Sequence, residues 1–411
     1  MLDRRQLLKA AGGALAALAL PGCLSAPEPL EELGLGAEAL ELIEQAWVGL
    51  DPQRFVDVHM HVVGLGAGGT GCFVHPESHS WLSPIRKVKT RIYKRYAGVH
   101  DDDEADQQFV ARLVDLCEHQ APRGKGVILA FDQFHTQEGE PSPEQSEFYV
   151  PNDYVFQLCE DYEHLFLPGC SVHPYRADAL EELNRCADRG AVCVKWLPNA
   201  MRIDPLDPRC EAFFGLMAER GLTLLSHTGE EQAVDAEELQ ELGNPLRLRP
   251  ALQAGVKVVL AHVGSLGENH DLDQEPTADG GYPHASSFDL ALRVLEDPAF
   301  AELAYADISA TTQFNRAESL LPLLRNQALH RQLVNGSDYP LPAIDPLVRT
   351  GLLEDMQLLG PDERELINEI YDYNPLTFDF VLKRRLCLRE GGEELRFADS
   401  VFQTAHLYRS S

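Results

Sequence analysis

Val256-Lys257-Val258-Val259-Leu260-Ala261-His262 is almost continuously apolar and ends on a histidine. A strand with one wet face alternates polar and apolar residues. This run does not, so it reads as a strand covered on both faces, the mark of a parallel sheet. Gly126-Val127-Ile128-Leu129-Ala130-Phe131 has the same character. Working outward, eight such runs line the chain: Phe55–His61, Lys125–Phe131, His164–His173, Ala191–Leu197, Leu222–His227, Val256–His262, Leu303–Ser309 and Leu333–Asp338. Helix-length segments such as Ala177–Arg189, Pro208–Arg220 and Phe288–Glu296 separate them. Eight strand–helix repeats predict an α/β fold, a (β/α)8 TIM barrel over residues 51–385. Inserted loops are expected after strand 1 (Val62 to about His100) and after strand 6 (Gly264 to about His284). Both follow strands, on the face where barrel enzymes keep their sites.

The 411 residues carry 35 Lys+Arg against 65 Asp+Glu, a net charge of −30. That balance disfavours nucleic acid, since neutralising phosphates takes clustered Lys and Arg. Lysine is scarce, 8 of the 35 basic residues. No apolar run reaches the ~18–20 residues of a spanning helix. Eight cysteines follow Cys23 without C-x-x-C pairs or zinc-ribbon spacing. Several of them (Cys117, Cys159, Cys170, Cys193) sit in apolar runs as small hydrophobes. Residues 1–25 read as an address: Asp3-Arg4-Arg5-Gln6-Leu7-Leu8-Lys9 resembles a twin-arginine export signal. Leu20-Pro21-Gly22-Cys23 resembles a lipobox with Cys23 as the lipidated residue. The expected location is periplasmic or membrane-anchored, with any membrane contact made through that lipid. Residues 26–50 read as a linker and an N-terminal helix, and 386–411 as a C-terminal extension.

The strand ends carry the chemistry. Strand 1 ends in Asp57-Val58-His59-Met60-His61, strand 4 carries Lys195 in Val194-Lys195-Trp196, and strands 5, 6 and 8 end at His227, His262 and Asp338. Residues two apart on a strand share a face, so His59 and His61 are expected to project into the barrel with Asp57 below them. Val56, Val58 and Met60 are then expected to face the helices. Imidazoles and a carboxylate suit a divalent metal: zinc first, with iron or manganese as alternatives, one ion or two. Such a centre keeps an open position for a water whose pKa the metal lowers.

DVHMH, VKWLP, SHTG, AHVG and NGSDYP, in this order and at strand ends, resemble the amidohydrolase superfamily. Within it they resemble the amidohydrolase-2 (ACMSD-like) branch, and IYDYNPLTFDF resembles that branch's closing helix. The resemblance implies His59, His61, His227 and Asp338 as metal ligands. In mononuclear members His262 instead hydrogen-bonds the reactive water or substrate. In binuclear members His262 joins His227 on a second metal, and a carboxylated Lys195 bridges both. Lys195 is therefore a bridging carbamate, a lysine snorkelling to a carboxylate at the barrel mouth, or a contact for an anionic substrate. Asp338 would shuttle a proton from water to the leaving group, with His262 stabilising the developing charge. Family members are often dimers, but no interface is legible here.

Other features read more plainly. Gly64-Leu65-Gly66-Ala67-Gly68-Gly69 matches G-x-G-x-x-G, but no helix opens there, so a flexible hinge or lid is expected rather than a dinucleotide site. No P-loop and no G-x-S-x-G elbow appears. Arg86, Lys87, Lys89, Arg91, Lys94 and Arg95 read as the polar face of a helix with Val88, Ile92 and Tyr96 as its core stripe. His173, Asp132 and His135 read as satisfied buried groups, and Glu230 as a solvated loop carboxylate. The function expected is hydrolysis of an amide, ester or lactone bond in a small molecule by a metal-activated water. Non-oxidative decarboxylation of a carboxylated substrate is the alternative, and a non-catalytic metal-containing binding protein is the third reading.

Overall fold

The computed structural model describes residues 34–79, 84–120, 124–136, 138–234, 237–278 and 280–408. The export signal, the lipobox and the linker Ala26 to Glu32 lie outside the described residues, whereas the N-terminal helix is described in full. Eight parallel strands form one sheet in sequence order: β1 (Val56–His61), β2 (Lys125–Leu129), β3 (Phe166–Cys170), β4 (Cys193–Trp196), β5 (Thr223–His227), β6 (Val258–Ala261), β7 (Ala304–Asp307) and β8 (Leu333–Val334). All eight fall within the predicted runs. The barrel closes where the chain beyond β8 meets β1: Val58 N–H donates to Asn335 O at 3.1 Å, Asp338 N–H to His59 O at 2.7 Å, and His61 N–H to Tyr339 O at 2.9 Å. The predicted (β/α)8 TIM barrel is therefore the fold.

Helices cover the outside: α1 (Ala37–Trp47), α2 (Pro84–Tyr96), α3 (Ala105–Glu118), α4 (Asn152–Asp161), α5 (Ala179–Asp188), α6 (Arg209–Arg220), α7 (Ser287–Glu296), α8 (Leu320–Arg325), α9 (Pro361–Tyr373) and α10 (Pro375–Arg385). Met60, Ile128, Val194, Trp196, Leu224, Leu260 and Ala306 pack against them. Val127, Leu129, Cys193, Leu225, Val259, Ala261, Tyr305 and Val334 fill the barrel interior. This double coverage is why the strands read as apolar on both faces. The expected α2 forms, though its side chains up to Lys89 lie outside the described residues. All eight described cysteines are buried and unpaired.

Strand β1 departs from the expected alternation. Its pairing with β2 slips between Asp57 and Met60, placing an extra residue on β1. Two β1 residues then oppose one on β2, a β-bulge. Val56 and Val58 consequently pack inside the barrel, not against the helices, while Met60 does face the helices. Asp57 is not below the histidines. Its Oδ1 accepts from the His59 and Ser337 amides at 3.1 and 2.9 Å, so it ties β1 to the end of β8. Burial pushes its carboxyl up to about 7, against the Ser337 and His59 hydrogen bonds and the Lys383 charge.

The glycine-rich segment is also different from expectation. It is clamped, not a hinge. Asp106, fully buried in α3, accepts from the Leu65, Gly66 and Ala67 amides at 2.6, 3.2 and 3.2 Å and from the Thr70 hydroxyl. Successive backbone amides form an anion nest, and the anion is the protein's own carboxylate.

The C-terminal segment stoppers the other end of the barrel. After the hairpin Leu388–Glu390/Glu393–Leu395 the chain turns back. Ala405 and Leu407 then join the interior cluster, and Thr404 Oγ1 accepts from Val56 N–H at 3.2 Å.

Candidate metal centre

The C-terminal ends of β1, β4, β5, β6, β7 and β8 converge. His59 Nε2, His61 Nε2 and Asp338 Oδ1 form a triangle with edges of 3.2, 3.4 and 3.1 Å. An ion at zinc-like bond lengths of ~2.0–2.1 Å in tetrahedral geometry sets its ligand atoms about 3.3 Å apart. The donor set therefore fits a small divalent ion without rearrangement. A second group, His59, His262 and Asp307, also has ligand atoms within 4.8 Å of one another. The bulge makes the first triangle, because it turns both His59 and His61 inward.

Asp307, at the end of β7, organises both groups and has no counterpart in the sequence reading. Its Oδ2 accepts from His59 Nδ1–H at 3.0 Å. Its Oδ1 accepts from the His262 and Ser309 amides, each at 3.0 Å, and from the Ser309 hydroxyl. Burial works to raise this carboxyl, but His59, His262 and Ser309 hold it well below the usual range. An ionised carboxylate only accepts, so the Ser309 proton points to Asp307. The Ser309 oxygen must then accept from His262 Nδ1–H, 2.8 Å away. One carboxylate thus places the protons of both rings on Nδ1 and leaves both Nε2 lone pairs facing inward. A strand-7 aspartate ending an apolar run was the available signal.

His227 lies outside both close groups. Its Nδ1 sits 3.4 Å from Glu231 Oε2, and its buried Nε2 has no partner among the described residues. Its ring centre lies 5.1 Å from that of His262. Glu231 was also missed, masked by its neighbour Glu230. It is buried, and its Oε1 is held by the Ala233 and Val234 amides.

Lys195 is 2 % exposed and places Nζ 2.8 Å from His59 Nε2. No carboxylate lies within 4.0 Å of it among the described residues, so the snorkelling contact is not made. Burial lowers its pKa, opposed by the charges of Asp338, Asp307 and Glu231. Burial likewise pushes His61 and His227 down to about 4, and His262 well below its usual value. Burial acts to raise Asp338, but the charges of His59 and His262 and the His61 hydrogen bond keep it well below the carboxylate range. Burial thus disfavours protonation of His61, His227 and His262 beside the Asp307 and Asp338 carboxylates, a donor set that suits a cation.

The backbone at these positions is strained. His262, Val263, Ala310 and Asp338 all have positive φ, from 53° to 61°. Such conformations are costly for residues with a Cβ, most of all for β-branched valine, and they cluster where function demands exact aim. In α2, burial raises the Tyr93 hydroxyl pKa, helped by the charges of Glu231 and Asp338.

The remaining sequence candidates are satisfied elsewhere. His173 Nε2 bonds Met201 O at 2.9 Å, and Asp132 accepts from the His173 amide at 2.8 Å and from Arg176 at 3.1 Å. His135 stacks near His173 at 5.2 Å, and Glu230 accepts from Gln232 at 2.8 Å.

No curated protein matches the sequence. Solved structures similar to this one include three distant ones. An uncharacterised TIM-barrel protein from Bordetella bronchiseptica is 14% identical, with a TM-score of 0.44, covering 77% of this chain and 98% of its own. A probable 2-pyrone-4,6-dicarboxylic acid hydrolase from Acinetobacter baumannii is 13% identical, with a TM-score of 0.38 and coverage of 76% and 95%. A 5-carboxyvanillate decarboxylase from Sphingomonas paucimobilis is 13% identical, with a TM-score of 0.44 and coverage of 76% and 96%. The amidohydrolase family model matches residues 56–377, from the first barrel strand into α10. This protein belongs to the amidohydrolase family.

Proposed function

We propose that this protein is a metal-dependent hydrolase that cleaves an amide, ester or lactone bond in a small molecule. The observation that carries the reading is the triangle of His59 Nε2, His61 Nε2 and Asp338 Oδ1, with edges matching a small ion's coordination sphere. His59, His61 and Asp338 would hold a divalent ion, zinc in the first instance, which when bound polarises the scissile group and lowers the pKa of water. Asp338 Oδ1 faces the two histidines, which leaves Oδ2 to take a proton from the attacking water and return it to the leaving group. His262 Nε2 stands 3.9 Å from that oxygen as an acceptor, its ring fixed by Ser309 and Asp307. With this tautomer His262 receives a proton or ligates; it donates to a developing oxyanion only when protonated, which burial opposes. His227 Nε2 and Lys195 Nζ stand ready for a second ion, Lys195 as a carbamate.

The test is metal content per chain by ICP-MS, for the wild type and Lys195→Ala, alongside a turnover panel of esters, lactones, amides and aromatic acids. Two ions falling towards one or none in the variant support the bridged centre. One ion unaffected by the variant supports a mononuclear centre. Release of CO2 instead of a new carboxylic acid would replace hydrolysis by decarboxylation, and a wild type without metal overturns the reading. We also propose export by the twin-arginine route with lipidation at Cys23. Retention of an Arg4→Lys/Arg5→Lys variant in the cytoplasm tests it, and unchanged fractionation refutes it.

A further inference from the structure

Arg316 is the unexplained charge at the mouth. It lies in the segment after β7, is only 7 % exposed, and has no carboxylate within 4.0 Å among the described residues. The one hydrogen bond its guanidinium makes among the described residues runs from Nη1 to Ser265 Oγ at 3.2 Å, which ties it to the loop after β6. The other guanidinium donors meet no acceptor of the described residues. The same three loops are stitched together nearby: Asn315, beside Arg316, donates to Gln232 in the loop after β5 at 3.3 Å. The loops that carry His227 and His262 therefore also frame Arg316. Its charge acts directly on both histidines and on Asp338.

A buried guanidinium without a counter-ion is expensive, and proteins keep one where an anion arrives to pair with it. The nearby carboxylates are committed elsewhere. Glu231 is held by two backbone amides and faces His227, Asp307 holds His59 and Ser309, Asp338 faces His59 and His61, and Glu230 is bonded by Gln232. None swings to Arg316 without abandoning those contacts.

We infer that Arg316 receives a carboxylate group of the substrate, which is therefore a small organic acid whose scissile bond is presented to the His59–His61–Asp338 centre. The planar fork matches a carboxylate with two parallel hydrogen bonds, and Ser265 fixes its orientation. One buried guanidinium at the mouth, in a chain of net charge −30, suits one carboxylate better than a phosphate or a polyanion. The inference rests on the proposed hydrolase only in placing the reacting centre beside Arg316.

The experiment compares binding of benzoate and benzamide to the full mature protein by isothermal titration calorimetry, in wild type, Arg316→Gln and Arg316→Lys, with metal content measured on each sample. The expected result is that wild type prefers the acid by roughly tenfold or more, that Arg316→Gln removes this preference, and that Arg316→Lys keeps part of it. Equal affinity for acid and amide in wild type, or no acid binding at all, overturns the inference, as does an unchanged preference in a folded Arg316→Gln. If the glutamine variant fails to fold, the wild-type preference and the lysine variant decide. Acid preference in a protein that holds no metal would uphold this inference and remove the hydrolase reading. Metal-dependent turnover of neutral substrates without acid preference would do the reverse.

Discussion

At the scale of single residues, Asp307 on β7 and Asp57 on β1 do opposite work. Asp307 is an ionised carboxylate that aims two rings. Replacing it with Ala would free His59 and His262 to adopt either tautomer. Outer partners of this kind are worth ~10–100-fold in metal affinity. The expected outcome of Asp307→Ala is a loss of that size, read by chelator competition, and no loss refutes the tautomer argument. Asp57 is the reverse, a carboxyl that burial raises to about 7. A folded pKa above the unfolded value of ~3.9 means the native state binds more protons between the two. The stabilisation is complete below ~4 and fades as pH rises through about 7. Asn accepts the same two amides without the charge, so Asp57→Asn should match wild type near pH 4 and become the more stable protein towards pH 8. Thermal melts across that range check it, and a difference independent of pH counts against it. Both aspartates sit in apolar runs that showed strands but not roles. A carboxylate's task depends on the amides and rings that surround it, and these come from other strands.

At the scale of elements, two local departures shape the mouth. Alternation along Asp57-Val58-His59-Met60-His61 predicts the inward histidines correctly but the valines wrongly, because one bulge resets the period. A bulge carries no residue signature here, since it is settled by pairing with β2 and β8. The glycine-rich segment shows the same dependence on context. Its amides form a nest for an anion, and Asp106, from the start of α3, supplies one. Loss of that carboxylate removes the acceptor of three partly buried amides and of the Thr70 hydroxyl. Asp106→Ala is therefore expected to destabilise by about 3 kcal/mol, measured by urea unfolding, with new proteolytic cleavage between Leu65 and Cys72. A variant that unfolds at the wild-type midpoint refutes the clamp. Gly64→Ala should resemble it, since a Cβ there would collide with the Asp106 carboxylate.

At the scale of the molecule, the barrel has a built end and a reactive end. The tail closes the first. Val401, Phe402, Ala405 and Leu407 are buried, and the last two belong to the interior cluster. Burying such side chains stabilises by ~1.5–3 kcal/mol for each larger one, against a total of only ~5–15 kcal/mol. A chain truncated after Ala398 is expected to lose its cooperative melt and to bind a hydrophobic dye. A truncated chain that melts like the full one would show that the stopper is dispensable. At the reactive end the histidines, carboxylates, Lys195 and Arg316 come from six strand ends or the loops beyond them. Their burial is imposed by the whole ring of strands.

The sequence alone determined the barrel and the strand ends on which the site stands. Both follow from local chemistry: apolar runs bury on two faces, and parallel strands all end at the same rim. The placement of His59, His61, Lys195, His227, His262 and Asp338 at those ends was legible for that reason, while their candidacy as ligands came from the family resemblance. Only the tertiary structure decided which atoms meet. The bulge sets the faces of β1, Asp307 assigns the tautomers, Glu231 stands behind His227, and Arg316 is left unpaired. Each of these depends on distances between segments far apart in the chain. Hydrogen bonding and charge burial act over a few ångströms of space, whatever the separation in sequence.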